Sequence, residues 1–290
     1  MDERAALSLV GEYVEGSGDD CAVLDDLVVT TDMLHETTDF PDGTTRYTAG
    51  WRAVGASLSD VAAMGAEATA AVAVYGAPSF RETEIAAFLR GCTDVCEAVD
   101  AEYVGGDLDG HDEFTVATTV VGRSDDPVYR TGAAPGDAVC VTGSVGRSGA
   151  ALQLFEDGET ARANELFQFE PRVAAGRAVG DDATAMMDSS DGLARSLHQL
   201  AAASDCGFSV RYDDIPIDPA VDDVVEDNAM RRELGLHFGE DFELVFTAPE
   251  NAVDRLRAAA PVEVTRIGEV TDGDVLSDGE PLSDRGFTHR

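Results

Sequence analysis

Carboxylates recur where apolar runs stop or are interrupted. Asp20 in GDDCAVLD, Asp32 in VVTTD, Asp60 in ASLSDVAAMGA, Asp107 in YVGGD, and Asp188 and Asp191 in MMDSSDGL all stand beside small residues. A buried aspartate is costly unless it is paired or bound to a metal. A carboxylate at the end of a buried strand, by contrast, is aimed by a rigid element and stays close to solvent. Several such groups converging would form a cage of hard oxygen ligands, which suits Mg²⁺, and Mg²⁺ commonly arrives with phosphate. The pattern points to a phosphate-handling enzyme.

Between these acids the hydrophobic pattern alternates in period. Residues 22–24 and 27–31 read as short strands and 48–64 as a tightly packed helix rich in small residues. Residues 68–75 read as a buried strand. In 81–99 the apolar positions Ile85, Phe88, Leu89, Val95 and Val99 predict an amphipathic helix. Strands over 102–104 and 114–121 flank Gly105-Gly106-Asp107, which reads as a turn. The polar stretch GRSDDPVYRTGAAPGD then divides an N-terminal lobe, 1–126, from a C-terminal lobe, 127–290. Beyond it we expect a strand at 138–142, a glycine-containing turn and a helix to about 155. A helix over 171–179 has Pro in its first turn. Strands at 183–187, 208–212, 242–247 and 262–270 alternate with helices at 193–203 and 252–259. The fold class is therefore α/β (α+β) in two lobes.

Composition removes several alternatives. The 290 residues, 44% apolar, suffice for one large domain or two ordinary ones. The basic side chains are 20 arginines with no lysine, against 57 acids, for a net charge of −37. Without lysine there can be no Walker-type phosphate loop, no Schiff base and no protein-kinase strand lysine. If ATP is handled, metal ions and arginine must neutralise its phosphates. Such a surface repels nucleic acid and anionic lipid, and the acids are spread along the chain rather than gathered in a tail. Concentrated salt would screen the repulsion within a few Å, so the charge reads as adaptation to high internal salt. No apolar run reaches 18 residues and the first residues lack a basic, then apolar, leader; the expected compartment is the cytoplasm, with no membrane partner. Cys21, Cys92, Cys96, Cys140 and Cys206 form no CxxC pair and read as buried thiols.

Taken singly, the motifs have bland readings as well. Gly18-Asp19-Asp20 is equally a turn, and Thr30-Thr31-Asp32 a strand end. Asp60 inside an apolar helix favours a ligand. Gly105-Gly106 would admit a close phosphate. Asp188-Ser189-Ser190-Asp191-Gly192 would bridge metals, place Ser190 at a phosphate, and cap a helix. Gly143 to Gly149, GSVGRSG, is explained by close helix-on-strand packing, and Gly239-Glu240-Asp241 opens a strand.

In this order the motifs are specific. GSGDDCAVL, VVTTDML, GWRAVGASLSDVAAMGA, YVGGD, GDAVCVTG, MMDSSDGLARSL, GEDFELVFT and a terminal GF-H together resemble the thiamine-monophosphate kinase family, whose fold is shared with aminoimidazole-ribonucleotide synthetase. The resemblance covers essentially the whole chain. It implies a homodimer whose N-terminal lobes form a barrel-like core, with ATP, several Mg²⁺ ions and thiamine monophosphate at the lobe interface. By matching motifs, Asp20, Thr30, Thr31, Asp32, Asp60, Asp107, Asp188 and Asp191 would bind metal. Gly106, Asp107, Arg130 and Ser190 would contact ATP, and Glu240, Asp241 and Phe287 would lie near the thiamine end. One position departs from the pattern: Asp39 stands where the family often has histidine, and an acid there would face a cationic thiazolium. Another ATP-dependent enzyme of this fold, a cation-binding protein without catalysis, and a nucleotide-binding regulatory subunit are the competing readings.

Overall fold

The structure, a computed structural model, describes residues 9–11, 13–14 and 16–286; Phe287, expected near the substrate, lies outside them. The first apolar runs build one sheet from β1 (Ala22–Leu24), β2 (Leu27–His35), β3 (Glu67–Ala77), β4 (Glu102–Gly110) and β5 (Thr115–Arg123). Their order is β1-β2-β5-β3-β4. β2 and β5 pair antiparallel from Leu27↔Arg123 to His35↔Thr115. β1 reaches only Val29 of β2, so the 30–35 half of β2 is one open edge and β4 is the other. The period of two along β3 leaves Ala71, Ala73 and Tyr75 buried while Val72 and Val74 are exposed. Residues 68–75 are thus a half-buried strand, not the fully buried one expected.

Helices follow: α1 (Glu36–Asp39), α2 (Arg46–Ala63) and α3 (Glu82–Glu97). Thr45 starts α2 by accepting the N–H of Thr48 at 3.1 Å. Small residues let α2 approach its neighbours closely. A Cβ on Gly91 would stand 2.0 Å from the Tyr47 carbonyl oxygen, and one on Gly50 2.3 Å from that of Phe88. Helix α2 is therefore buried almost all round, against the sheet on one side and α3 on another.

The second sheet holds β6 (Asp137–Thr142), β7 (Ala185–Asp188), β8 (Gly207–Val210), β9 (Leu244–Pro249), β10 (Val264–Thr271), β11 (Val275–Ser277) and β12 (Glu280–Pro281), in the order β12-β11-β8-β10-β6-β9-β7. It is mixed, with β8 and β11 parallel and the other pairs antiparallel. Around it lie α4 (Arg147–Glu156), α5 (Thr160–Phe167), α6 (Val173–Gly180), α7 (Leu193–Ser204), α8 (Pro219–Val224), α9 (Asn228–Glu233) and α10 (Val253–Ala259). One apolar cluster joins Val54, Leu58 and Val61 of α2 to Met186, Leu244 and Phe246 of the second sheet. Helix α2 is the wedge between the two sheets, and that places Asp60 at the seam.

Two local expectations are corrected. Gly105-Gly106-Asp107 is not a turn but the middle of β4, because glycine lets β4 run against β3 where a side chain would collide. A Cβ on Gly106 would lie 1.7 Å from the Ala73 carbonyl oxygen, next to a register shift at Ala71/Val72. The helix expected from 171 begins at Val173, and the helices at 160–167, 219–224 and 228–233 were not legible, being too short to show a period.

The contact between α2 and α3 gives a test. Gly91→Ala should cost about 1–3 kcal/mol through overpacking, read as a lower thermal midpoint in concentrated KCl. An unchanged midpoint would contradict the close crossing.

Candidate active site

A loop, a helix and a strand end aim carboxylates at one point. Asp20 precedes β1, Asp60 lies on α2, and Asp188 ends β7. One oxygen from each lies within 4.8 Å of the others, with the Asp20 and Asp188 side chains buried and Asp60 partly so. Like charges this close, out of water, resist ionisation. Burial first, then the charges of Asp32, Asp188 and Asp20, hold Asp60 well above the ordinary carboxylate range. Burial and Asp20 push Asp188 up to about 7, against the opposing pull of Ser59 and Ser190.

Neighbours order the cluster. Thr30 Oγ1 donates to Asp60 Oδ2 at 2.5 Å. Asp32 accepts from Ser57 Oγ, which itself meets Thr118 Oγ1 at 2.7 Å. The Ser190 N–H donates to Asp188 Oδ1 at 3.2 Å. Arg130 donates from Nη2 and Nε to the two oxygens of Asp20, at 2.7 and 3.2 Å, and its N–H donates to Asp19. Burial alone would lower the Arg130 pKa, but Asp20, Asp188 and Asp60 outweigh it and keep the guanidinium charged. Cys21, beside these acids, is held a neutral thiol by burial and by their field.

The residues fit a divalent cation. Asp188 Oδ2 and Ser59 Oγ are buried without a hydrogen bond of proper geometry among the described residues, which is costly unless something meets them. The donors are all oxygens, the set preferred by hard cations.

The remaining candidates divide by face. In the sheet register Asp32 aligns with Thr118, Ala73 and Gly106, on the face that carries α2. Thr31, one residue earlier, points to the opposite face, where its hydroxyl donates to the Thr118 carbonyl oxygen at 2.7 Å. Asp107 aligns with Val74, Ala117 and Met33 on that same outer face. It is exposed on β4, three inter-strand spacings, roughly 14 Å along the sheet, from β2. The structure does not bring Thr31 Oγ1 or Asp107 of this chain into the acid cluster. Asp191 lies just before α7, where Gln199 donates to its Oδ2 at 3.3 Å.

Two clefts flank these elements. One, of about 910 Å³, is lined by Glu36, Asp39, Phe40, Phe155, Phe238 and Glu240 among others; it combines acids with aromatic faces. The other, of about 330 Å³, is bounded by Tyr75, Ile85, Leu89 and Tyr103 beside Gly105, Gly106 and Asp107. Asp241 does not line the first cleft. Its oxygens accept the N–H groups of Gly146 and Ser148 at the start of α4, at 2.5 and 2.9 Å, and burial pushes its pKa up to about 7 despite them. Arg52 is not among the residues expected from the sequence, and Ser57 enters only as part of the run that carries Asp60. The signal was there, a charge and a hydroxyl inside an otherwise apolar helix.

Both halves of the chain match family models: residues 18–124 the N-terminal domain, and 134–278 the C-terminal domain, of AIR synthase related protein. The chain belongs to this family of two-domain AIR synthase related proteins. Within it, curated relatives include thiamine-monophosphate kinases. That of Halobacterium salinarum is 62% identical over the full length of both chains, and that of Escherichia coli K12 is 32% identical over 94% of this chain and 91% of its own. Among solved structures, the AaThiL complex with AMPPCP and TMP superposes with a TM-score of 0.91 at 27% identity, covering all of this chain and 97% of that one. The hydrogenase maturation protein HypE in complex with ATP shares the fold, with a TM-score of 0.73 at 19% identity over 96% of this chain and 92% of that one.

The raised carboxylates predict a pH dependence. In the folded, metal-free protein Asp60 and Asp188 hold protons that the unfolded chain has already released, so stability falls as pH rises toward and through about 7. In concentrated KCl the thermal midpoint should rise on acidification from pH 8 to pH 6, by an amount on the order of 1–3 kcal/mol in stability. Asp60→Asn should remove part of that rise. A midpoint that falls over this window in the native protein would contradict the assignment.

Proposed function

We infer that this protein transfers the γ-phosphoryl group of ATP to the phosphate of thiamine monophosphate, giving thiamine diphosphate and ADP. The observation that carries the reading is the convergence of Asp20, Asp60 and Asp188, in a chain 62% identical from end to end to a thiamine-monophosphate kinase. The bond formed joins an acceptor phosphate oxygen to the γ-phosphorus; the bond broken is that between the γ-phosphorus and the bridging oxygen, which leaves on ADP. An acceptor phosphate is anionic near neutral pH, so no general base is required.

The chemical obstacle is repulsion between two polyanions in a chain of net charge −37. Asp20, Asp32, Asp60 and Asp188, with Thr30, would hold Mg²⁺, which supplies positive charge to the phosphates and to the loose transition state. Arg130 keeps Asp20 oriented and offers the one guanidinium beside the acids among the described residues. Ser190, next to the N-terminus of α7, would donate to phosphate. The acidic, aromatic-lined cleft at Asp39 and Glu240 suits a cationic thiazolium ring, and the apolar cleft beside Gly106 suits adenine. The same reading puts the enzyme in the cytoplasm with its ATP. No helix among the described residues is long and apolar enough to cross a membrane.

We further propose a homodimer that completes this site. The outer face of the first sheet exposes Met33, Val72, Val74 and Val104, and both of its edges are open. A two-fold axis that sets β4 of one protomer against residues 30–35 of β2 in the other would close a barrel and bury that face. It would bring the partner's Asp107 beside Asp32. The adenine cleft of one protomer would then serve the acid cluster of the other.

Two measurements test this. In ADP-release assays at high KCl with Mg²⁺, thiamine monophosphate should drive turnover while thiamine and buffer alone should not. Asp32→Asn, Asp60→Asn and Asp107→Asn should each lower kcat by about 10²-fold or more with little loss of stability. Near-native turnover in all three would refute the metal role. For the dimer, Asp60→Asn and Asp107→Asn chains should be separately inactive but recover about a quarter of native activity after mixing and subunit exchange, because one site in each hybrid is intact. No recovery despite exchange would place Asp107 with its own chain's acids.

A further inference from the structure

Arg52 is a buried cation for which the reaction chemistry above has no role. It lies on α2, eight residues before Asp60, and is 2% exposed. Both terminal nitrogens are fully used. Nη1 donates to the Phe167 carbonyl oxygen at 2.8 Å and to Ser148 Oγ at 3.3 Å. Nη2 donates to Glu240 twice, to the carbonyl oxygen at 3.0 Å and to carboxylate Oε2 at 2.6 Å. The guanidinium also lies 3.6 Å from the centre of the Phe167 ring and 5.3 and 5.4 Å from those of Phe169 and Phe242. One side chain from the N-terminal half thus grips three segments of the C-terminal half.

The segment it holds most firmly is strained. Glu240 and Phe242 adopt φ of +63° and +55°, a conformation that residues with a Cβ keep only when their surroundings enforce it. Ser148 Oγ adds a hydrogen bond to the Glu240 carbonyl oxygen at 2.5 Å. The Glu240 N–H donates to the Ser190 carbonyl oxygen at 2.7 Å, in the loop that carries Asp188. Glu240 is therefore tied on one side to α2, which carries Asp60, and on the other to the loop of Asp188. Glu240 lines the acidic cleft together with Asp39.

We propose that Arg52 is a positioning residue for the phosphate acceptor: it fixes Glu240 at the cleft and sets the distance from the cationic end of the bound acceptor to the phosphates at the acid cluster. This rests on the kinase reading above and adds a residue to it. The planar fork of arginine meets a carboxylate, two carbonyl oxygens and a hydroxyl at once; the single ammonium of lysine cannot. A residue that only clamped the two halves together would matter equally for both substrates. A residue that positions the acceptor acts on one of them.

The experiment is ADP release by full-length protein in concentrated KCl and Mg²⁺, with thiamine monophosphate and then ATP varied. Arg52→Lys should raise KM for thiamine monophosphate by about tenfold or more and lower kcat, while KM for ATP stays within about twofold. Ser148→Ala removes one support of Glu240 without touching the ion pair. It should raise KM for thiamine monophosphate by about threefold, again leaving ATP unaffected. It carries the test if Arg52→Lys does not fold. Native protein that releases no ADP with thiamine monophosphate overturns the kinase reading and this inference with it. Native turnover with unchanged acceptor KM in the folded variants, or equal rises for both substrates, overturns the role of Arg52 alone.

Discussion

Mutual repulsion among Asp20, Asp60 and Asp188 is the constraint around which the structure is arranged. Folding brings three acidic oxygens within 4.8 Å of one another at a seam largely closed to water. Nothing in the hydrophobic core rewards that placement; the same positions filled with apolar residues would pack at lower cost. The arrangement makes physical sense if cations are part of the working molecule. The hydroxyls of Thr30 and Ser57 and the guanidinium of Arg130 then serve to aim the carboxylates rather than to neutralise them all.

Helix α2 connects that cluster to the rest of the site. Its small residues allow the close crossing with α3 and burial against both sheets, so a single rigid element carries Arg52, Ser57, Ser59 and Asp60. The chain can thus specify the distance between an acidic, aromatic cleft and a metal-binding cluster with little reliance on loops. The loops that do contribute, at 188–192 and 239–243, are joined by hydrogen bonds from Glu240 to Ser190 and from Glu243 to Ser189.

The sequence made much of this legible. An aspartate inside the apolar run LSDVAAMGA could only be unusual, and it lies in the cluster. Thr30, Thr31 and Asp32 were grouped as ligands without regard to strand alternation, which sets Thr30 and Asp32 on the face that carries α2 and Thr31 on the other. That Asp107 stands apart from its own chain's acids was not legible, because its face and its edge position follow from strand pairing with β3, and a pair of glycines looks the same in a turn as in a tightly packed strand. Asp241 looked like a substrate contact, yet it caps α4; a carboxylate that satisfies N–H groups some 95 residues away in sequence leaves no local trace. Arg52 was visible as a charge in an apolar helix, but its partners Phe167 and Glu240 are known only once the halves are packed.

Cation binding by the three acids is tested most directly by anomalous diffraction from crystals grown in high salt with Mn²⁺ and a non-hydrolysable ATP analogue. A metal peak is expected about 2.0–2.3 Å from carboxylate oxygens of Asp20, Asp60 and Asp188. Nucleotide bound with no metal between those three side chains would contradict it.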